Sequence, residues 1–280
     1  MMANYYKYNL SLKSMKSSQF CNLGQNKRKY PCDTRIYNEI IREISGQTNN
    51  FYLKYQAKFS DNKKIIGFEA LLRWKCEKYG EIIPEKFIGV AENSNIINML
   101  DFWVIRNVFE QKKRWEANNV NLPVSINTTA SIYDEKNYSI LKKIISDYDI
   151  NYSQIDFEIT ERIPLKDVAG SIKVMDYLAS KNIKIILDDC GIREHIDLLH
   201  LKKLPIKGIK LDKSFAFEKK SPEITIKHAR DVFGNSIEIF AEGIERIDEM
   251  IFMRKFGIEM FQGNFFGKPM REDAINVLLR

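Results

Sequence analysis

The 280 residues are poor in the side chains that mark specialised protein classes. The four cysteines, Cys21, Cys32, Cys76 and Cys190, form no CxxC pair and no metal-finger spacing. That argues against a disulfide scaffold or a zinc module and fits free thiols in a reducing cytoplasm. The three histidines, His195, His200 and His228, have no metal-like spacing either. No run approaches the ~20 apolar residues of a membrane-spanning helix. The N-terminus lacks the apolar core of a signal peptide, so export is not expected and a cytoplasmic location is. No linker rich in Pro, Gly or Ser and no fixed-period repeat interrupts the chain after residue 33. Acidic residues are missing from one region entirely. Residues 1–32 carry Lys7, Lys13, Lys16, Lys27, Arg28 and Lys29 and no Asp or Glu. The rest holds 38 basic against 37 acidic residues, so the net charge of +7 belongs mostly to this tail. A basic, flexible arm over 1–32 is expected, with a nucleic-acid or partner contact as the sharper alternative. The overall balance, 44% hydrophobic and 29% charged, is that of a globular protein.

What is present is an alternation. "DTRIYNEIIREIS" begins with an N-cap residue, spaces Ile36, Ile40, Ile41 and Ile44 helically, and meets a stop at Gly46. Eight short β-rich runs follow: "FYLKYQAKF", "KIIGFEALLRW", "LPVSIN", "IDFEIT", "IKIILDD", "IKGIKLD", "SIEIFAEG" and "GIEMFQG". Helical stretches such as "LDFWVIRNVFEQKKRWEANN" separate them, predicting one α/β domain over 33–280. Eight is also the number of strands that closes a (β/α)8 barrel.

Most of these runs start apolar and end polar. Glu69, Asn127, Glu158, the pair Asp188 and Asp189, Lys210 with Asp212, Glu242 and Gln262 fall at or near successive strand ends. In a barrel those ends converge on the face that carries active sites. Any one of them alone would read as a cap or a solvated end; seven strands doing it together do not. Glu69, Asn127, Glu158, Asp188, Asp189 and Glu242 are all oxygen donors, suited to Mg²⁺ or Mn²⁺, with Ca²⁺ as a non-productive, inhibitory substitute. Five converging carboxylates call for two divalent cations, the arrangement that clamps phosphoryl transfer. Lys210 adds a fixed positive charge for a phosphate or a water.

The ordered segments "FEALLRW", "PVSINTTA", "DFEITER", "ILDDCG", "IKLDKSF", "IFAEGIE" and "FQGNFFGKP" resemble the EAL domain, the phosphodiesterase family that hydrolyses cyclic di-GMP. The resemblance covers about 33–280. It implies a TIM-like barrel whose first strand runs antiparallel, and hydrolysis to linear pGpG. It implies a first metal on Glu69, Asn127, Glu158 and Asp188, and a second near Asp188, Asp189 and Glu242. Lys210 would orient or activate the attacking water, Gln262 would lie beside it, and Arg73 would touch a substrate phosphate. Glu161 would anchor the loop after the paired aspartates.

That loop departs from the family. Active members follow the aspartates with Phe-Gly, a small residue, Gly, then Tyr-Ser-Ser; here the text is "CGIREHIDLL". The aromatic becomes Cys190, read as a small buried thiol, and Arg193, Glu194 and His195 take the later positions. In the family this loop contributes to a homodimer, which the change would weaken. The second reading is therefore an EAL barrel of low or no activity that binds cyclic di-GMP or a regulatory protein. No membrane contact is expected.

Overall fold

The computed structural model describes residues 33–76, 79–160, 168–191 and 201–279. The basic tail, Glu161 and the rewritten segment from Ile192 through His200 lie outside them. The described chain forms two compact units, one within Met1–Leu53 and Leu72–Val104, the other within Lys54–Leu71 and Ile105–Arg280.

The first unit is held by apolar packing. Helix α1 (Asp33–Ile44) buries Ile36, Ile40 and Ile44, the positions its spacing predicts, and Gly46 follows at φ +74°. Helix α2 (Pro84–Asn93) starts on a proline, whose missing N–H costs nothing in a first turn. It contributes Phe87, Val90 and Ala91 to the same cluster. Phe51, Trp74 and Phe87 meet edge-on or tilted, with centroids 5.3–5.8 Å apart, geometry favoured by the ring quadrupole. Trp74 is buried in this core and Trp103 packs against it.

The second unit is the barrel. Its strands are β1 (Phe51–Ser60) from Lys54 on, β2 (Ile65–Cys76) as far as Leu71, β4 (Val124–Asn127), β5 (Ile155–Thr160), β6 (Lys184–Cys190), β7 (Ile206–Leu211), β8 (Glu238–Ala241) and β9 (Met260–Gln262). The short β3 (Gly80–Ile82), which the sequence reading did not anticipate, pairs with the far end of β2 in the other unit. Hydrogen bonding runs β1-β9-β8-β7-β6-β5-β4-β2, and β1 pairs with β2 to close the ring. From β2 to β9 neighbouring barrel strands are parallel, whereas β1 runs antiparallel to β9. The reason is local: β1 enters β2 through a tight turn at Ser60–Lys64, and a hairpin can only reverse direction. The helices α3 (Ile97–Ala117), α4 (Glu135–Ser146), α5 (Val168–Ser180), α6 (Lys213–Phe217), α7 (Glu223–Phe233), α8 (Ile247–Arg254) and α9 (Glu272–Leu278) fall between or after strands.

The strands β4 to β8 are buried on both faces, which is why they read as nearly continuous apolar runs. β1 instead alternates. Tyr55 and Ala57 pack outward, Tyr55 against Trp115, while Gln56 and Lys58 turn into the barrel. Parallel register aligns the polar strand ends, with Asn127 opposite Glu158 and Thr160 opposite Asp188. At the other mouth, a cavity of about 300 Å³ is lined by Lys58, Ser125, Asp156, Lys184, Glu238 and neighbouring residues.

Candidate active site

The C-terminal rim gathers the predicted carboxylates around one ammonium. Lys210 Nζ lies 2.6 Å from Glu158 Oε2, 3.4 Å from Asp188 Oδ1 and 3.6 Å from Glu69 Oε2, and in ion-pair contact with Glu242. Lys210 and Glu158 are each 1% exposed, and Asp188 9%, so water screens these contacts little. Glu69 is oriented by two amides: Asn127 Nδ2 donates to Oε1 and Gln262 Nε2 to Oε2, each at 2.5 Å. Gln262 also donates to Gln56 Oε1 at 3.2 Å, and its own buried Oε1 has no hydrogen-bond partner among the described residues.

The pair on β6 is shaped by backbone geometry. Asp189 sits at φ +57°, uncommon for a residue other than glycine, and its N–H donates to Asp188 Oδ1 at 2.9 Å. This twist brings to one side two neighbouring carboxylates that a regular strand would point to opposite faces. One oxygen from each of Asp188, Asp189 and Glu242 lies within 4.8 Å of the others, a group that could hold a metal ion. Gly191 follows at φ +93°, where a Cβ would stand 2.4 Å from the Phe215 ring. Cys190 is buried, in agreement with its reading as a small packed thiol.

The electrostatics show a charge deficit. Burial pushes the Glu158 carboxyl up, but the ammonium groups of Lys210 and Lys58 overcome this and hold it at about 2. Burial would lower Lys210, yet Asp188, Glu158, Glu242 and Glu69 keep it well above its ordinary value. Glu242 and Asp188 are both raised by burial first; Lys210 pulls each down only in part, and neighbouring carboxylates push them up, Asp188, Glu69 and Glu158 acting on Glu242, and Glu158 and Asp189 on Asp188. Five carboxylates therefore share two buried ammonium groups, Lys210 and Lys58. The surplus negative charge and the all-oxygen donor set fit hard divalent cations.

Not every predicted residue joins this cluster. Asp212 accepts a hydrogen bond from Ser214 N at 2.9 Å and caps α6. Arg73 belongs to the other compact unit, where its guanidinium donates to Leu72 O at 2.8 Å. Lys58 was not anticipated. It is 3% exposed and donates from Nζ to Glu158 Oε1 at 2.6 Å and to Ser125 Oγ. Its signal was the alternation in "QAKFS", where period 2 puts Gln56, Lys58 and Ser60 on one face.

A closed barrel with one antiparallel strand and a carboxylate-rich C-terminal rim defines the class: a TIM-like α/β barrel with an acidic strand-end site. The EAL domain family matches residues 38–269, and the chain belongs to that family. It is 30% identical over 229 residues to cyclic di-GMP phosphodiesterase PdeR of Escherichia coli K12, covering 80% of this chain and 34% of that protein. It is 30% identical over 248 residues to cyclic di-GMP phosphodiesterase PA2567 of Pseudomonas aeruginosa, covering 86% of this chain and 42% of that protein. The chain thus spans about a third to two-fifths of the length of these relatives. Among solved structures, the EAL enzyme Bd1971 with cAMP and cyclic di-GMP bound superposes with a TM-score of 0.76 at 27% identity. That match covers 89% of this chain and 69% of the other. No helix among the described residues is long and apolar enough to cross a membrane.

Proposed function

We propose that this chain hydrolyses cyclic di-GMP to linear pGpG with two divalent cations, Mg²⁺ or Mn²⁺. The observation that carries this reading is the ring of Glu69, Glu158, Asp188 and Glu242 within 3.6 Å of the Lys210 ammonium, at the barrel rim of an EAL domain whose relatives PdeR and PA2567 are named cyclic di-GMP phosphodiesterases. Glu69, Asn127, Glu158, Asp188, Asp189 and Glu242 would hold the ions. Bound there, they would lower the pKa of a water and neutralise charge building on the phosphate.

The protein's own groups do the rest. Lys210 presents a buried positive charge to the incoming water and the phosphate oxygens. Gln262 Oε1, a buried acceptor with no donor among the described residues, can take a hydrogen bond from that water and fix its direction. The water oxygen bonds to phosphorus as the bond to the 3′-oxygen breaks, and a proton passes to that oxygen. Asn127 and the Gln262 amide hold the Glu69 carboxylate in one orientation throughout. Arg73 serves as a substrate-phosphate contact and Glu161 as a loop anchor in this proposal.

The departure at Cys190 to His195 motivates a second reading, a barrel that binds the nucleotide or a regulatory protein without turnover. One experiment separates them. Purified protein with Mg²⁺, Mn²⁺ or Ca²⁺ is incubated with cyclic di-GMP, and pGpG is followed by chromatography while molecular mass is monitored. Turnover with Mg²⁺ or Mn²⁺, lost in Glu69→Ala, supports the enzyme. Tight binding with no product under either metal supports the module.

A further inference from the structure

Glu158 is gripped from both sides of the barrel. Lys210 approaches Oε2 from the rim at 2.6 Å, and Lys58 approaches Oε1 from the interior at 2.6 Å. The two lysines differ in what else holds them. Lys210 sits among three further carboxylates, so cations arriving at the rim compete with it for those oxygens. Lys58 lies below that ring, on the antiparallel strand, with Ser125 Oγ as its other acceptor and the Phe240 ring 5.0 Å from its ammonium. An ammonium buried there has one carboxylate in hydrogen-bond contact and does not release it readily, because a buried charge left without its partner is strongly unfavourable.

We propose that Lys58 is a positioning residue that sets the metal preference of the rim by holding Glu158 Oε1, so that this glutamate offers a cation a single oxygen. The inference rests on the metal-dependent reading above. Its physical basis is coordination number. Mg²⁺ demands near-octahedral geometry from short, single-oxygen contacts, whereas Ca²⁺ takes six to eight oxygens and favours two-oxygen carboxylates. Glu158 is otherwise well placed to become a two-oxygen ligand, being buried and, among the described residues, with Lys58 as the donor to its Oε1. Taking one oxygen away removes what Ca²⁺ gains most from and costs Mg²⁺ or Mn²⁺ little. Lys58 touches neither substrate nor reacting atoms in this account; it acts through Glu158.

The test measures binding rather than turnover. Mg²⁺ and Ca²⁺ affinities of wild type and Lys58→Met are measured by calorimetry, with urea midpoints as a check on folding. The Ca²⁺-to-Mg²⁺ affinity ratio should rise about tenfold in the variant, the size expected for loss of an outer partner of a metal ligand. An unchanged ratio in folded Lys58→Met overturns the inference while leaving the metal-dependent reading intact. Wild type that binds neither cation sinks that reading, and the inference with it. Should the variant not fold, a crystal structure of Mn²⁺-loaded wild type decides. Glu158 with one oxygen on the ion and Oε1 still on Lys58 supports the inference, and a two-oxygen Glu158 overturns it.

Discussion

The two mouths of the barrel each hold a buried lysine, and they are balanced differently. At the C-terminal rim Lys210 faces Glu69, Glu158, Asp188 and Glu242 and cannot neutralise them. At the N-terminal mouth the charges are closer to paired. Lys58 donates to Glu158 and Ser125, Lys184 pairs with Glu238 at 2.5 Å, and Arg254 reaches Asp61 at 3.4 Å. An imbalance that a fold tolerates in its interior is a place where something charged is meant to bind. The lower mouth also contains a strained group of its own. Asp156 is 7% exposed and, among the described residues, receives a 3.3 Å bond from Ser125 Oγ and leaves Oδ1 without a partner.

The largest effect should come from breaking the rim. Lys210→Met removes the one ammonium that touches all four carboxylates. Turnover of cyclic di-GMP should fall by about 10²–10⁴-fold, the range typical of a positioned proton-transfer or charge-stabilising group. The same variant should melt several degrees below wild type in chelator, and added Mg²⁺ should restore most of the difference, because ions replace the missing charge. A melting temperature indifferent to Mg²⁺ would contradict the charge-deficit account.

Gly191→Ala tests the support beneath the paired aspartates. Its φ of +93° and the 2.4 Å approach to Phe215 leave no room for a methyl group. A stability loss of about 1–3 kcal/mol is expected from the backbone strain and the clash, read as a lower urea midpoint. Metal affinity should weaken with it, since Asp189 precedes the displaced residue by two positions.

Asp156→Asn sharpens the contrast from the lower mouth. Burial raises the Asp156 carboxyl to about 6, with Lys58 and Lys184 only partly opposing it. The folded protein therefore holds a proton that the unfolded chain has released, and this group's contribution falls as pH rises from about 4 to 6. Replacing it with a neutral amide should stabilise the protein at pH 7.5 by on the order of 2 kcal/mol and do so far less at pH 4. Urea melts at the two pH values check the sign. A gain that grows as pH falls would refute it.

Asp212→Ala should do least. Asp212 shares the rim with the site carboxylates but is used as the cap of α6. About 1 kcal/mol of stability should be lost, with turnover within twofold of wild type. A thousandfold loss of turnover would move Asp212 into the site.

Much of this was legible in the chain because the signals were local and repeated. All eight barrel strands and the oxygen-donor ends of the strands follow from alternation along the chain, and the reversal of β1 from the family resemblance that the ordered motifs carry. Asp212 shows the limit, since an aspartate at a strand end looks the same whether it faces a site or caps a helix. β3 is three residues long and carries no pattern of its own. Lys58 and Asp156 were passed over because a charged residue in a strand reads as solvent-facing until closure of the sheet decides which face is inside.

The order of apolar and polar residues by itself determined the class of fold and the chemistry of the rim, since burying both faces of parallel strands leaves only their ends for polar groups. Only the tertiary structure decided which charges meet. The left-handed turn at Asp189, the grip of Lys58 and Lys210 on opposite oxygens of Glu158, and the orphaned Gln262 acceptor all depend on strands far apart in sequence closing into one ring. Coulomb interactions and hydrogen bonds are set by distances of a few ångströms, and those distances exist only after closure.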